Sequence, residues 1–233
     1  MTSPGGGSSS GDAGRARALK RAAWLVIALV LLYVVLDVVA QLLPPHYSPI
    51  SQAESDLAVG PYGYVMAANF INRGVLSLLF LFALDRASSL AGAGPQRYRG
   101  GIMLLGVWAV GALLLAFFPT DVPPAPATWH GVMHLVVAVI AFLGGAFGSL
   151  VLSVRFARDP LLGGARRFAM PISVLAVLAC LVTLFLPGAA PHLSSHIGGL
   201  TERVFLGLVL LWMLTMSAYL IRAVRNPSLR GSV

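Results

Sequence analysis

Residues 22–43 read AAWLVIALVLLYVVLDVVAQLL, a run that contains one acidic residue, Asp37, and no basic residue. A helix of roughly 20 apolar residues is long enough to cross the ~30 Å hydrocarbon core of a bilayer. The strands of a membrane barrel would be ~10 residues long and would alternate apolar with polar side chains, which this run does not do. The stretch therefore predicts a transmembrane α-helix.

Five more runs of this kind follow, and together they set the predicted fold class. The chain is 58% hydrophobic and 10% charged, with a mean hydropathy of +0.84, whereas ordinary soluble domains are about 25% charged. We predict an all-α, polytopic membrane helix bundle with six transmembrane helices, at residues 22–43, 64–84, 101–118, 130–154, 168–187 and 200–221. The predicted domains are a disordered basic tail at 1–21, the six-helix domain at 22–222 and a short tail at 223–233.

Small residues recur along the fourth run. Gly144 and Gly148 form one row, and Ala141, Gly145 and Ser149 form the next. Rows of this kind let a neighbouring transmembrane helix approach closely. We therefore expect close helix packing on this face.

The basic residues predict the orientation of the bundle, because short cytoplasmic loops are enriched in Lys and Arg. All but two of the 16 basic residues fall in the tails and in the second and fourth loops, at Arg15, Arg17, Lys20, Arg21, Arg86, Arg97, Arg99, Arg155, Arg158, Arg166, Arg167, Arg222, Arg225 and Arg230. We predict that both termini are cytoplasmic and that the loops at 44–63, 119–129 and 188–199 face outward.

Composition also predicts the location and the partner. The heavy use of Arg, Ala, Gly and Leu is typical of a GC-rich bacterium, so we expect a multi-pass protein of the bacterial cytoplasmic (inner) membrane. The net charge of +8 then reflects topology, and no folded basic domain is left over to bind nucleic acid. The predicted partner is the lipid bilayer.

Several polar residues lie inside the first two predicted helices. Tyr33, Asp37 and Gln41 share one face toward the outer end of the first helix. Asn69, Asn72 and Arg73 share a face near the middle of the second. An ionisable side chain at that depth costs at least ~2.5 kcal/mol, so we expect Arg73 to point into the bundle toward an acid, with Asp37 and Glu202 as candidates. The two interpretations are a structural ion pair and a counter-ion for an anionic group of a substrate.

All five histidines are predicted to lie on the outer side, opposite the arginines. His130 and His134 are four residues apart at the start of the fourth helix, and His192 and His196 repeat this spacing before the sixth. Metal sites use this spacing on helices, so these four residues are candidate zinc ligands. Ordinary hydrogen-bonding histidines and haem ligation are the alternatives, and the cofactor stays unknown.

Acidic residues complete the predicted outer pocket. Asp121 and Glu202 are the candidate catalytic residues, as acid or base beside a metal-bound water. Asp56 lies in the same outer layer, and Arg203 follows Glu202 at the start of the sixth helix, where Thr201 is a candidate N-cap. A cation there opposes the helix dipole, so we expect Arg203 to pair with Asp121 or to bind an anion.

Several short motifs occur in order along the chain: Tyr47-Ser48-Pro49-Ile50-Ser51, SDLAVGPYG at 55–63, Phe118-Pro119-Thr120-Asp121, His130-Gly131 with His134, and Gly199-Leu200-Thr201-Glu202-Arg203. With these motifs, nearly the whole chain after the tail resembles the bacterial six-helix membrane family known as domain of unknown function 998. The resemblance implies six helices. It also implies one functional set, comprising Asp56, Asp121, His130, His134, Glu202 and Arg203. It implies no particular activity.

The sequence leaves three descriptions of function open. The first is an integral membrane protein of unknown function with a polar His/Asp/Glu/Arg pocket on the extracytoplasmic side. The second is a metal-dependent membrane hydrolase that acts on a lipid-like substrate. The third is a transporter or ion/proton relay component that uses Asp37, Arg73 and Glu202, and this one predicts a homo-oligomer because six helices are few for a monomeric transporter. Whether the protein is an enzyme, and which small molecule or lipid it acts on, stays open.

Overall fold

The computed structural model describes residues 7–92, 95–157, 159 and 161–225, and these residues form six α-helices and three short 3₁₀ turns without a β-strand. The helices are α1 (Gly7–Leu42), α2 (Gly63–Leu90), α3 (Arg99–Leu115), α4 (Trp129–Phe156), α5 (Arg166–Ala189) and α6 (Pro191–Arg225). The 3₁₀ turns are Glu54–Ala58, Pro95–Arg97 and Gly163–Ala165. The predicted all-helical class is confirmed over the described residues.

Five of these helices are long and apolar enough to cross a membrane, namely α1, α2, α4, α5 and α6. The remaining helix, α3, has 17 residues. At 1.5 Å per residue it is about 25 Å long, a little short of the ~30 Å hydrocarbon core. The multi-pass membrane character is therefore confirmed, whereas a membrane crossing by α3 and the orientation of the termini stay predictions.

Two helices begin earlier than the hydropathy predicts. α1 begins at Gly7 and so includes most of the predicted disordered tail, and its packed face starts just before the apolar run, with Leu19 fully buried. α6 begins at Pro191, a residue whose fixed φ suits a first helical turn, so residues 191–199 are helical where a loop was predicted. Residues 1–6 and 226–233, with Arg230, lie outside the described residues, as does Arg158.

The helices pack in chain order around a large apolar core, and a smaller apolar cluster around Met66 and Phe70 lies beside it. Each helix contacts the next, and α1 also contacts α6, which closes the ring. The largest fully buried side chains are Trp108 of α3 and Trp212 of α6. Each indole N–H donates to a buried serine, Trp108 to Ser77 Oγ at 3.0 Å and Trp212 to Ser153 Oγ at 2.9 Å. These bonds satisfy the polar end of each indole and tie α3 to α2 and α6 to α4.

The small residues of α4 allow the close packing that the sequence predicts. A Cβ atom added at Gly144 would lie 2.6 Å from the carbonyl oxygen of Leu104, and one added at Gly148 would lie 2.8 Å from the backbone nitrogen of Leu105. Larger side chains at these positions would push α3 and α4 apart. The expected close approach is confirmed, and α3 is the neighbour.

One end of the bundle carries three of the connections between helices, and we call it the loop end. It comprises residues 43–62 between α1 and α2, residues 116–128 between α3 and α4, and the turn at Ala190 between α5 and α6. These connections lie at one end because consecutive helices run in opposite directions. The described basic residues other than Arg73 and Arg203 belong to the opposite end of the bundle.

Candidate functional site

Arg203 attaches the 43–62 connection to α6. Its Nη1 donates to three backbone carbonyl oxygens, those of Gln52 (2.9 Å), Pro49 (3.0 Å) and Gly199 (3.2 Å). Its Nη2 donates to the hydroxyl of Tyr47. Four acceptors around one guanidinium fix the path of the connection across α6.

Gly199 makes this contact sterically feasible. A Cβ atom added at Gly199 would lie 2.0 Å from the carbonyl oxygen of Gln52 and 2.8 Å from that of Pro49. Beside it, the backbone N–H of Leu200 donates to the carbonyl oxygen of Ile50 at 2.9 Å. The connection therefore meets α6 backbone to backbone, and a side chain at position 199 would separate them.

The position of Glu202 and Arg203 within α6 corrects the prediction of a helix start at this point. Thr201 does not cap α6, because the helix begins at Pro191, and its Oγ1 donates inside the helix to the Gly198 carbonyl oxygen at 2.9 Å. Glu202 and Arg203 lie about three turns inside the helix, beyond the first turn where the helix dipole acts. Their charges are therefore balanced by tertiary contacts.

Tyr33, Glu54 and Glu202 form a hydrogen-bonded chain that we call the polar septum. The Tyr33 hydroxyl donates to the Glu54 carboxylate, and the backbone N–H of Glu54 donates to Glu202 Oε2 at 2.9 Å. Glu54 is only 2% exposed. Burial raises the pKa of Glu54 above its ordinary value, while the charges of Arg73 and Asp37 act in opposite directions. Glu54 therefore binds a proton more readily than an exposed glutamate does.

The sequence places Tyr33 on the polar face of the first helix, Glu54 in the outer acidic layer and Tyr47 in a family motif, but none of the three was selected as a site residue. The spacing of Tyr33 and Asp37 does place them on one face of α1. Glu54, however, belongs to a connection, and connections normally lie at the surface. No local pattern in the sequence signals that this carboxylate is buried beneath α6.

A cavity of about 260 Å³ lies beside the polar septum, and we call it cavity A. Its charged and hydrogen-bonding lining includes four residues that the sequence selected: Asp56, Arg73, His134 and Glu202. Apolar side chains of α4 and α5, among them Leu135, Phe142 and Leu184, complete the wall. Cavity A therefore combines ionisable groups with hydrocarbon.

Arg73 is 2% exposed and projects from the middle of α2. Its Cζ lies 5.1 Å from the ring centroid of Phe70 and 4.9 Å from that of Trp108, and such cation–π contacts contribute roughly 0.5–2 kcal/mol each. Among the described residues no carboxylate lies within 4.0 Å of its guanidinium, and its Nε has no hydrogen-bond partner. Arg73 therefore points into the bundle as expected, and its charge acts on Glu54, but the predicted ion pair with Asp37 or Glu202 does not form and aromatic rings make the direct contacts.

His134 is the histidine that lines cavity A. Its Nδ1 lies 2.6 Å from the carbonyl oxygen of Phe118, and because a carbonyl only accepts, Nδ1 carries the proton and Nε2 is the acceptor in the neutral ring. His130 is exposed, with its ring centroid 4.2 Å from that of Trp129. The two imidazoles therefore have different surroundings: His134 is buried against the Phe118 carbonyl and His130 is exposed beside Trp129.

The second histidine pair lies outside cavity A. His192 and His196 are exposed on the first turns of α6, with ring centroids 4.7 Å apart and with His196 Nδ1 2.8 Å from the His192 carbonyl oxygen. In the part of the chain that the structure describes, no group of three or more His, Cys, Asp or Glu side chains is placed to hold a metal ion. The two pairs do not converge, and a zinc or haem centre stays a prediction from the sequence.

Asp121 caps α4. Its carboxylate accepts from the Thr128 N–H at 2.6 Å and from Thr128 Oγ1 at 2.8 Å, and Thr128 Oγ1 in turn accepts from the Gly131 N–H at 3.2 Å. These hydrogen bonds, the backbone one first, hold the pKa of Asp121 below its ordinary value. The expected pairing of Arg203 with Asp121 is wrong, because each is occupied by other groups. A catalytic role for Asp121 stays a prediction.

Asp37 lines a second cavity of about 280 Å³ between α1 and α6, which we call cavity B. Gln41 Nε2 donates to Asp37 Oδ2 at 2.6 Å, as their spacing on one helix face allows. Asn72 donates from Nδ2 to the carbonyl oxygen of Leu29 at 3.0 Å and so ties α2 to α1. Asp37 and Asn72 are therefore not brought together with the residues of cavity A.

A family model described as a protein of unknown function (DUF998) matches residues 26–219, a range that includes both cavities and the polar septum. No curated protein and no solved structure matches the chain. The matching description carries no activity, so a function has to be inferred from the geometry.

Proposed function

The chain belongs to the DUF998 family of proteins of unknown function, and we propose that it is a membrane protein whose cavity A binds the anionic group of an amphiphile. The observation that carries this proposal is the state of Arg73. Its side chain is 2% exposed, lines the cavity and has no carboxylate within ion-pair distance among the described residues. A charge at such a depth is costly unless it is compensated; the charge of Glu54 acts on Arg73 without an ion pair, and an anionic ligand would add the direct contact.

The contacts of Arg73 leave its hydrogen-bond donors for a ligand. The rings of Phe70 and Trp108 attract the positive charge, but the guanidinium Nε has no hydrogen-bond partner. Carboxylate and phosphate groups accept two parallel N–H bonds from a guanidinium. An oxyanion therefore fits this side chain better than a neutral group does.

Other residues of cavity A favour an anion over a cation. Burial raises the pKa of Asp56, although a backbone hydrogen bond at Ala53 opposes the shift. A raised pKa lessens the penalty that the Asp56 carboxylate would impose on a nearby anion. One oxygen of Glu202 is already held by the Glu54 N–H at 2.9 Å.

The size and lining of cavity A indicate an amphiphile. At about 260 Å³ it lies below the ~300–1,000 Å³ of pockets that enclose a drug-sized ligand, so it holds a head group rather than an entire lipid. The apolar side chains of α4 and α5, including Leu135 and Leu184, suit a hydrocarbon chain. A lipid head group and a free anion share the chemistry that Arg73 recognises, and the experiment must separate them.

The test is binding of lysophosphatidate to the purified protein in neutral detergent, measured by titration calorimetry, with inorganic phosphate as the soluble counterpart. We expect saturable binding of lysophosphatidate and weaker binding of phosphate. Arg73→Gln should weaken lysophosphatidate binding about 10- to 100-fold, because a hydrogen bond to a charged group contributes ~1.5–3 kcal/mol and ~1.4 kcal/mol is tenfold. The affinity of Arg73→Lys should lie between those of the wild type and Arg73→Gln, since lysine keeps the positive charge but lacks the planar guanidinium.

Arg86→Gln is the matched control for this experiment. Arg86 lies on the same helix outside cavity A and contacts an aromatic ring in the same way, with its Cζ 4.7 Å from the centroid of Phe82. Its replacement should leave the affinity unchanged. Equal affinities of the wild type and Arg73→Gln, with both proteins folded by thermal melting, would refute the proposal. Phosphate that binds as tightly as lysophosphatidate would show that the ligand is a soluble anion.

We further propose that cavity A faces the extracytoplasmic side of a bacterial cytoplasmic membrane. The support is the position of the basic residues at the opposite end of the bundle, where short cytoplasmic loops are expected to carry them. In a Cys180→Ser background, Ser195→Cys at the loop end should react with a membrane-impermeant maleimide in intact spheroplasts. Ser89→Cys at the opposite end is equally exposed and should react only after permeabilisation. The reverse pattern would contradict this orientation.

A further inference from the structure

Cavity B lies between α1 and α6 and is separated from cavity A by the polar septum. Glu54 lines cavity B and Glu202 lines cavity A, and the hydrogen bond between them spans 2.9 Å. Two residues of its wall are half exposed, Val34 at 50% and Leu211 at 45%. Cavity B therefore opens sideways, where the lipid of the membrane would lie.

The wall of cavity B is apolar except at one end. α1 contributes Val30 and Val34, and α6 contributes Leu206 and Leu210 on either side of Gly207. A Cβ atom added at Gly207 would have no heavy atom within 4 Å. The cavity thus has room for a hydrocarbon chain beside the bare backbone of α6.

The polar end of cavity B holds two hydrogen-bonding atoms without a partner. Asp37 Oδ1 and Arg203 Nε are buried and unpaired, and both residues line the cavity. Within the described chain no ion pair joins the two side chains at 4.0 Å or less. Gln41 occupies the other carboxylate oxygen, and the 43–62 connection occupies the Nη atoms. A buried polar atom left unpaired costs ~1–3 kcal/mol. A ligand that forms a hydrogen bond with each of these two atoms therefore gains affinity.

We infer that cavity B binds the hydroxyl end of a single-chain lipid alcohol. A hydroxyl group both donates and accepts, so it can donate to Asp37 and accept from Arg203. A carboxylate only accepts and would meet the acidic Asp37, and an ammonium group only donates and would meet the cationic Arg203. The apolar wall then takes the chain. This inference uses residues other than Arg73 and His134, so it does not depend on the ligand of cavity A.

The experiment compares three probes that share one chain and differ in the head group: oleyl alcohol, oleic acid and oleylamine. Binding to the purified protein in neutral detergent is measured by native mass spectrometry. The alcohol should bind at least about tenfold more tightly than the acid and the amine, since each of these forfeits one hydrogen bond to a charged group at ~1.5 kcal/mol or more. Equal binding of the three probes would overturn the inference, because it would reflect the chain alone.

Gly207→Leu tests the location of the bound alcohol. The added side chain would fill the open space beside α6 and should abolish alcohol binding without unfolding the protein. Gly106→Leu is the matched control, because an added Cβ at Gly106 of α3 has its nearest contact at 4.0 Å, far from α1 and α6 in the ring of helices. It should bind the alcohol as the wild type does. Alcohol binding that persists in a folded Gly207→Leu protein would overturn the assignment to cavity B.

Discussion

Replacement of Arg203 with alanine should lower the free energy of unfolding by about 3 kcal/mol. Its guanidinium donates to the Tyr47 hydroxyl and to carbonyl oxygens of Pro49, Gln52 and Gly199. Each hydrogen bond to a charged group contributes ~1.5–3 kcal/mol, and water that enters the loop end offsets part of the sum. For a protein of about this length, 1 kcal/mol corresponds to roughly 2–4 °C, so the unfolding midpoint should fall by roughly 6–12 °C.

Cys180 provides the measurement. It is the single cysteine of the chain and is 1% exposed, so a thiol-reactive fluorophore should label it only as the bundle unfolds. Arg222→Ala is the matched control, because it removes an exposed arginine at the other end of the same helix. The control should have the same unfolding midpoint as the wild type. An Arg203→Ala protein that does the same would show that the guanidinium contacts contribute nothing to stability.

The helices were predictable because a helix that crosses a bilayer needs roughly 20 apolar residues, and such runs are visible in the sequence. The predicted span at 130–154 lies inside α4, Trp129–Phe156, and its row of small residues does meet α3. The helix ends were less predictable, since hydropathy does not register a helix that continues beyond the apolar run. Leu19 in α1 and Pro191 at the start of α6 are the two places where packing and backbone preference extend a helix.

Most residues of the site could be predicted from the sequence, but their hydrogen-bond and ion-pair partners could not. The position of Arg73 in the middle of α2 predicts that its side chain is buried. Its partner depends on how each helix is rotated about its axis, and residue spacing gives no information about that rotation. Asp121 and Arg203 share the outer layer, yet the carboxylate caps α4 through Thr128 and the guanidinium holds a connection. Glu54 became a site residue only because that connection folds beneath α6.

Gly199→Ala and Gly198→Ala should change stability in opposite directions, although they add the same methyl group to neighbouring residues of α6. At Gly199 the new Cβ would lie 2.0 Å from the carbonyl oxygen of Gln52. This oxygen belongs to the backbone, so the connection must move, and overpacking costs ~1–3 kcal/mol. At Gly198 the nearest atoms are Ser194 Oγ at 3.5 Å and the Ser51 carbonyl oxygen at 3.8 Å, both ordinary contacts.

The two alanine variants should therefore differ by about 2–3 kcal/mol. Alanine in place of a helical glycine stabilises by ~0.5–1 kcal/mol where the space is open, so Gly198→Ala should raise the midpoint of Cys180 labelling slightly. Gly199→Ala should lower it, because the displaced connection outweighs that gain. Equal midpoints for the two variants would mean that the 43–62 connection is free to move away from α6 at no cost.

Gly199 and Arg203 act on the same contact, so their substitutions should not be additive. Both meet the carbonyl oxygen of Gln52, one by leaving space for it and the other by donating to it at 2.9 Å. Once Gly199→Ala has displaced the connection, Arg203→Ala has less to remove, and residues that share a partner typically couple by ~0.5–3 kcal/mol. The double variant should therefore lose less stability than the sum of the single ones. A loss equal to the full sum would show that the two residues stabilise separate parts of the loop end, and that the connection carrying Glu54 onto Glu202 is not held as one unit.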